Sequence, residues 1–246
     1  MSLRHHMQTY VFICFIIFLA GFTQGLSGFG SILLSLPLLA IFLDIKTVIP
    51  LVALMAFFIT VILFVQLRKH LDWKKIYPLF IGAAPGIPLG VFFLKRLDKG
   101  IIQWILGVTL IVYSLYSLFF RSSYKPMRTA WAYLFGFLSG CLGGALSAGG
   151  PPVIVYTSLQ SWKKDTIKVT LQGFFVVSGP IVILFQALSG VTTALVIRYF
   201  LVSVPFLALG TFMGSLVYGK IPDQHYKKLI LVLLAFLGAF MIYRAL

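Results

Sequence analysis

Gln24, Ser27 and Ser31 fall in or beside one glycine cluster, and Ser147 falls in a second cluster about half a chain away. Hydroxyls and amides offer polarised hydrogens without a full charge, so they can donate hydrogen bonds to the oxygens of an anion. The first cluster reads Gly21-Phe22-Thr23-Gln24-Gly25-Leu26-Ser27-Gly28-Phe29-Gly30-Ser31. The second reads Gly140-Cys141-Leu142-Gly143-Gly144-Ala145-Leu146-Ser147-Ala148-Gly149-Gly150-Pro151-Pro152. Each interrupts a long apolar stretch with residues that lack a Cβ and let the chain leave the helical conformation. New half-helices are expected from about Ser31 and Pro151, since proline suits a first helical position. Helix starts expose unpaired N–H groups and a partial positive charge, so two that meet would hold an anion without an ionised side chain.

The candidate binding residues are therefore Gln24, Ser27, Gly28, Gly30 and Ser31 from the first break, and Ser147, Gly149, Gly150 and Pro151 from the second. Thr60, Thr170, Gln172 and Ser178 are secondary candidates within other apolar runs. For any single Ser or Gln, helix packing or a bond to its own backbone remains an equal reading.

The groups that are missing restrict the chemistry further. No Lys, Arg, Asp, Glu or His stands in the middle of an apolar run. All five acidic residues are Asp (Asp44, Asp72, Asp98, Asp165, Asp223) in or beside connections, and His5, His6, His70 and His225 are terminal or loop-adjacent. A proton relay through side chains is disfavoured. Coupling to sodium through carbonyls and hydroxyls stays open, as does uncoupled efflux. There is no Ser–His pair, paired carboxylate or HExxH motif within the runs, so an enzyme is not expected. Neither a metal nor a cofactor is expected, and Cys14 and Cys141 read as small buried hydrophobes.

The elements that must position these residues are helices in lipid. With 60% hydrophobic and 10% charged residues and a mean hydropathy of +1.03, the chain cannot bury its apolar surface within a water-soluble globule. A β-barrel would alternate polar and apolar residues, which these runs do not. The net charge of +15 lies in short segments between apolar runs, a membrane-orienting pattern rather than a nucleic-acid surface. The apolar run after Arg4 continues directly into the first glycine cluster, so it reads as a span rather than a signal peptide.

A broken segment at 10–43 is followed by runs at 47–67, 76–94 and 101–120, and a polar linker covers 121–129. The pattern then restarts with a broken segment at 130–160 and runs at 166–188, 195–218 and 225–245. Ile62-Leu63-Phe64 echoes Ile183-Leu184-Phe185, and Gly86-xxx-Gly90 echoes Gly210-xxx-Gly214, so 1–120 and 130–246 read as two repeats. Small-xxx-small spacing serves close helix packing, within a monomer or in a homodimer. If each broken segment crossed the membrane once, the basic residues would divide evenly between the two faces. If each is a re-entrant hairpin, the loops at 68–75, 121–129, 160–168 and 219–228 share one face with most of the 20 Lys and Arg. The expectation is an all-α polytopic membrane protein of two inverted repeats, each a broken, re-entrant hairpin plus three transmembrane helices. Pro50, Pro85, Pro88, Pro180 and Pro205 are candidate kinks in these spans.

At Gly21-xxx-Gly25-Leu26-Ser27-Gly28-Phe29-Gly30 with Pro37 following, and at Gly140-xxx-Gly144 through Gly149-Gly150-Pro151, the chain resembles the TauE/SafE family of sulfite and organosulfonate exporters. The resemblance covers essentially the whole chain. It implies movement of small sulfur-containing anions across a bacterial or archaeal plasma membrane, with the substrate region at the two motifs. The expected function is a multi-pass secondary transporter, an exporter of sulfite or a sulfonate bound between half-helix starts and moved by alternating access. The alternative is an anion channel or facilitator that shares the site but does not alternate.

Overall fold

In lipid a backbone polar group has no water to pair with, so long apolar runs must satisfy their own N–H and C=O groups as helix. The computed structural model describes residues 3–27, 30–67, 71–119, 127–217 and 223–246, and these form ten helices. In the first half they are α1 (Leu3–Ser27), α2 (Ser31–Phe42), α3 (Ile45–Leu67), α4 (Trp73–Arg96) and α5 (Lys99–Phe119). In the second half they are α6 (Ala130–Leu146), α7 (Gly150–Ser158), α8 (Lys164–Leu188), α9 (Ala194–Val217) and α10 (Asp223–Ala245). Seven of them (α1, α3, α4, α5, α8, α9 and α10) are long and apolar enough to cross a membrane. By contrast α2 and α7 have 12 and 9 residues. At 1.5 Å per residue these reach only about 18 and 14 Å, part of the roughly 30 Å hydrocarbon core.

Both broken segments turn back on themselves. Phe12, in the first half of α1, stacks on Phe42 at the end of α2 with ring centroids 5.2 Å apart. Likewise Phe135 near the start of α6 meets Tyr156 of α7 at 5.9 Å. Antiparallel contact at the far ends of each pair makes each broken segment a helical hairpin.

Most glycines of the two clusters do something other than break a helix. Gly21 and Gly25 lie inside α1, and Gly140, Gly143 and Gly144 lie inside α6. Among the described residues of the two clusters, Gly30 and Ser147–Gly149 stand outside a helix. Apart from Gly143, where a Cβ would make only ordinary contacts, these helical glycines let backbones touch. A Cβ on Gly82, Gly86 or Gly90 of α4 would lie 2.1, 2.5 or 2.2 Å from the carbonyl oxygens of Tyr133, Phe137 and Cys141 on α6. Reciprocally, Gly136, Gly140 and Gly144 face Leu79, Ala83 and Ile87 of α4. Residue numbers rise together along this seam, so α4 and α6 run parallel. A second seam joins Gly21 and Gly25 of α1 to Leu207–Ser215 of α9, and Gly210 and Gly214 to Phe18 and Phe22, again in parallel. The third pair is antiparallel: Gly107 of α5 meets Gly238 of α10, and Gly100 approaches Ala245. Small-xxx-small spacing thus acts between the two halves of one chain. Pro50, Pro85, Pro88, Pro180 and Pro205 lie inside α3, α4, α8 and α9 without ending them.

The outward faces stay apolar, with Leu209, Phe212, Phe236 and Leu229 largely exposed where only lipid can cover them. The connections are polar. Asp44 follows α2 and pairs with Lys99 at the start of α5. Asp72 caps α4 by accepting from the Lys74 N–H at 3.1 Å, and its other oxygen pairs with Lys75 at 3.0 Å. The Lys75 hydrogen bond holds the Asp72 carboxyl below its ordinary pKa. A lowered folded pKa means that this contribution is present above the unfolded carboxylate pKa and is lost as pH falls through the folded value. Replacing the cap by Asp72→Ala should lower the thermal midpoint in detergent by the equivalent of about 1 kcal/mol. The difference from wild type should shrink in acid, where the wild-type carboxyl is protonated.

Candidate functional site

The two breaks meet at one cavity of about 90 Å³, room for several waters or one small polyatomic ion. Its lining includes Gln24 and Gly30 from the first hairpin and Ser139, Ser147, Gly149 and Gly150 from the second. Thr60 of α3 and Gln172 and Ser178 of α8 complete the polar wall. Phe57, Phe174, Phe175 and Ile154 supply much of the apolar wall, and among the described residues no charged side chain lines the cavity.

The first break turns at Gly30, whose φ of +101° is a left-handed conformation that a side chain would strain. Gly30 then serves as the N-cap of α2, accepting the Leu34 N–H at 3.1 Å. Gln24 reaches across from the end of α1 to satisfy the start of α2. Its Oε1 accepts the Ser31 N–H at 3.1 Å and also the Ser31 hydroxyl. With the oxygen engaged, the amide has only N–H donors left to offer the cavity that Gln24 lines.

The second break turns at Ser147, a non-glycine residue with φ +56°. Its hydroxyl donates to the Ile49 carbonyl of α3 at 2.9 Å and accepts from Gln186 Nε2 of α8 at 3.1 Å, so two neighbouring helices hold the turn. Helix α7 begins at Gly150 and continues with Pro151 and Pro152. A proline carries no N–H, so the first turn of α7 keeps only the Gly149 and Gly150 donors near its mouth. Gly149 packs so closely on α6 that a Cβ would lie 2.7 Å from the Ser139 carbonyl oxygen. The Ser139 hydroxyl in turn donates to the Gly149 carbonyl at 2.5 Å, which fixes the peptide plane.

Of the residues singled out from sequence, Gln24, Gly30, Ser147, Gly149, Gly150, Thr60, Gln172 and Ser178 face this one cavity. Ser31, Pro151 and Thr170 are buried beside it but are not part of its lining. Ser178 also donates to the Phe174 carbonyl of its own helix at 2.9 Å. Gly28 and the Ser27 side chain lie outside the described residues. Ser139 and Gln186 were not anticipated. The signal for Ser139 was present: small residues at 136, 140 and 144 form one stripe on α6, and Ser139 and Gly143 form a second, one position away. The first stripe faces α4, and both residues of the second line the cavity.

The sequence model of the sulfite exporter TauE/SafE family matches residues 13–241, which takes in both hairpins and nearly every helix. The chain belongs to that family. Its seven long apolar helices make it, like the rest of the family, a multi-pass membrane protein, in bacteria one of the plasma membrane. A curated relative from Cupriavidus necator, named "Probable sulfite/organosulfonate exporter TauE", is 29% identical over 155 residues. The aligned stretch is 59% of this chain and spans 59% of the relative's own length. No solved structure matches the chain.

Proposed function

We propose that this chain exports a small sulfur oxyanion, sulfite or an organosulfonate, by alternating access between two inverted repeats at 1–120 and 130–246. The observation that carries this reading is the shared cavity: the start of α2 at Gly30 and the start of α7 at Gly149 and Gly150 both line it, and among the described residues no ionised side chain does. Peptide N–H groups, the Gln24 amide and the Thr60 hydroxyl then meet the negative charge, while the Ser139 and Ser147 protons stay on the Gly149 and Ile49 carbonyls and hold the second break in shape. A neutral, preorganised site suits a carrier, because the anion must leave as well as enter. The name of the Cupriavidus necator relative and the family's description supply the sulfur oxyanion as cargo.

The packing directions support the inversion. α4 runs parallel to α6, α1 runs parallel to α9, and α5 runs antiparallel to α10. Successive spans joined by short connections, such as Leu97–Asp98 between α4 and α5, reverse direction. α10 therefore runs with α4 and against α9, so α1 opposes α6. On this reading both termini lie on one face, and the C-terminal ends of α3, α5, α7 and α9 lie on the other. The second face carries most of the Lys and Arg and is assigned to the cytoplasm.

The test is flux of radiolabelled sulfite, sulfoacetate and sulfate in proteoliposomes holding the purified full chain. Saturable flux with accelerated exchange against internal sulfite is expected, and no flux of any sulfur anion would refute the assignment. Single-channel currents far above carrier turnover would replace alternating access with a channel. Gln24→Glu keeps the acceptor for Ser31 but places a negative charge at the cavity. It should raise KM for sulfite at least tenfold, about 1.4 kcal/mol, and an unchanged KM would remove Gln24 from the site.

A further inference from the structure

Behind the cavity wall, the second break has another polar side that the anion does not use. Gln186 of α8 is fully buried and aimed at the C-terminal end of α6. Its Nε2 donates to Ser147 Oγ at 3.1 Å and to the Gly144 carbonyl at 3.4 Å. Among the described residues its Oε1 has no hydrogen-bond partner. A buried amide with an orphaned oxygen is costly, and low dielectric makes it more so.

The two ends of an amide have nearly the same shape. A half-turn about the last side-chain bond would put Oε1 where Nε2 now sits, facing Ser147 Oγ and the Gly144 carbonyl. Three oxygens would then converge at separations near 3.1 and 3.4 Å. That arrangement is repulsive unless a cation lies among them. The Ser147 proton is already directed at the Ile49 carbonyl at 2.9 Å, which leaves an Oγ lone pair for the ion. Helix α6 ends here, so its terminal carbonyls add the negative end of a helix dipole.

We propose that Gln186, Ser147 and Gly144 form a binding site for a small monovalent cation, sodium by size. All three ligands are neutral oxygens, whereas calcium sites recruit carboxylates to offset dehydration. Oxygens about 3.1 and 3.4 Å apart are the neighbour separations of a compact, low-coordinate shell, which suits an ion of sodium's radius. Ser147 also lines the cavity, so water from there completes the coordination. The cation would sit at the negative end of α6, with the positive start of α7 only Ala148 and Gly149 further on. Unwound backbone at membrane depth is well suited to such pairing.

The test uses the full chain purified in detergent, with no sulfur anion present, so its outcome is independent of sulfite flux. The thermal midpoint is followed as sodium chloride replaces choline chloride at constant ionic strength, with potassium chloride in a parallel arm. A saturable rise specific to sodium is expected in wild type and should vanish in Gln186→Leu. No sodium-specific rise in wild type, an equal rise with potassium, or the same rise in Gln186→Leu would overturn the site. If Gln186→Leu does not fold, Gln186→Glu decides: the carboxylate should lower the half-effective sodium concentration at least tenfold, and an unchanged value overturns the site.

Discussion

Gly150→Leu should yield a protein that folds and inserts normally but carries no sulfite. A Cβ at Gly150 would meet only Ile154 Cδ1 at 3.6 Å and Phe175 Cζ at 4.0 Å, ordinary contact distances, and φ there is unrestricted. The backbone therefore accepts a side chain, but the isobutyl group must extend into the cavity of about 90 Å³ and fill the space over the Gly149 and Gly150 N–H groups. Proteoliposome flux should fall to background while the size-exclusion profile and thermal midpoint stay near wild type. Near-normal flux would show that the anion does not pass this point. Gly30→Leu should also lose transport, but with a lower midpoint, because its φ of +101° strains any L side chain by roughly 1–2 kcal/mol.

The largest effect on stability is expected from Gly86→Leu. Its Cβ would sit 2.5 Å from the Phe137 carbonyl oxygen and 2.9 Å from the Cys141 nitrogen, and both belong to backbone that cannot rotate away. Helices α4 and α6 must separate, and the parallel seam of Gly82, Gly90, Gly136, Gly140 and Gly144 loses contact with it. The penalty should reach or pass the upper end of the roughly 1–3 kcal/mol typical of overpacking. Loss of the monodisperse peak after extraction is the readout. Leu138→Ala, on the outward face of α6, should leave that peak unchanged. Equal behaviour of the two variants would mean that the glycine seam does not hold the halves together.

Much of the fold is legible in the residues alone. Apolar runs without central charges must become helices in lipid, and the described residues form helices of which seven are long and apolar enough to cross a membrane. The breaks near Ser31 and Gly150 were legible because Gly and Pro punctuate a helix locally, whatever surrounds it. The roles of the other glycines were not. Gly21, Gly25, Gly140 and Gly144 look like part of the same interruption, yet each stays helical because another backbone lies against it. Periodicity reports which residues share a helix face but not which helix that face meets.

Composition by itself thus determined the solvent, the helices, the two interruptions and the lack of an ionised group at mid-membrane, because each depends only on neighbours along the chain. The tertiary structure alone decided that Gly30 and Gly150 line one cavity, that Ser139 fixes Gly149, and that Gln186 and Ile49 hold the turn at Ser147. Ile49 and Ser147 are 98 positions apart, and only the packing of α3 and α8 around the second hairpin brings such groups within hydrogen-bonding distance. Contacts of that range depend on how the helices close on one another, which local residue chemistry does not specify.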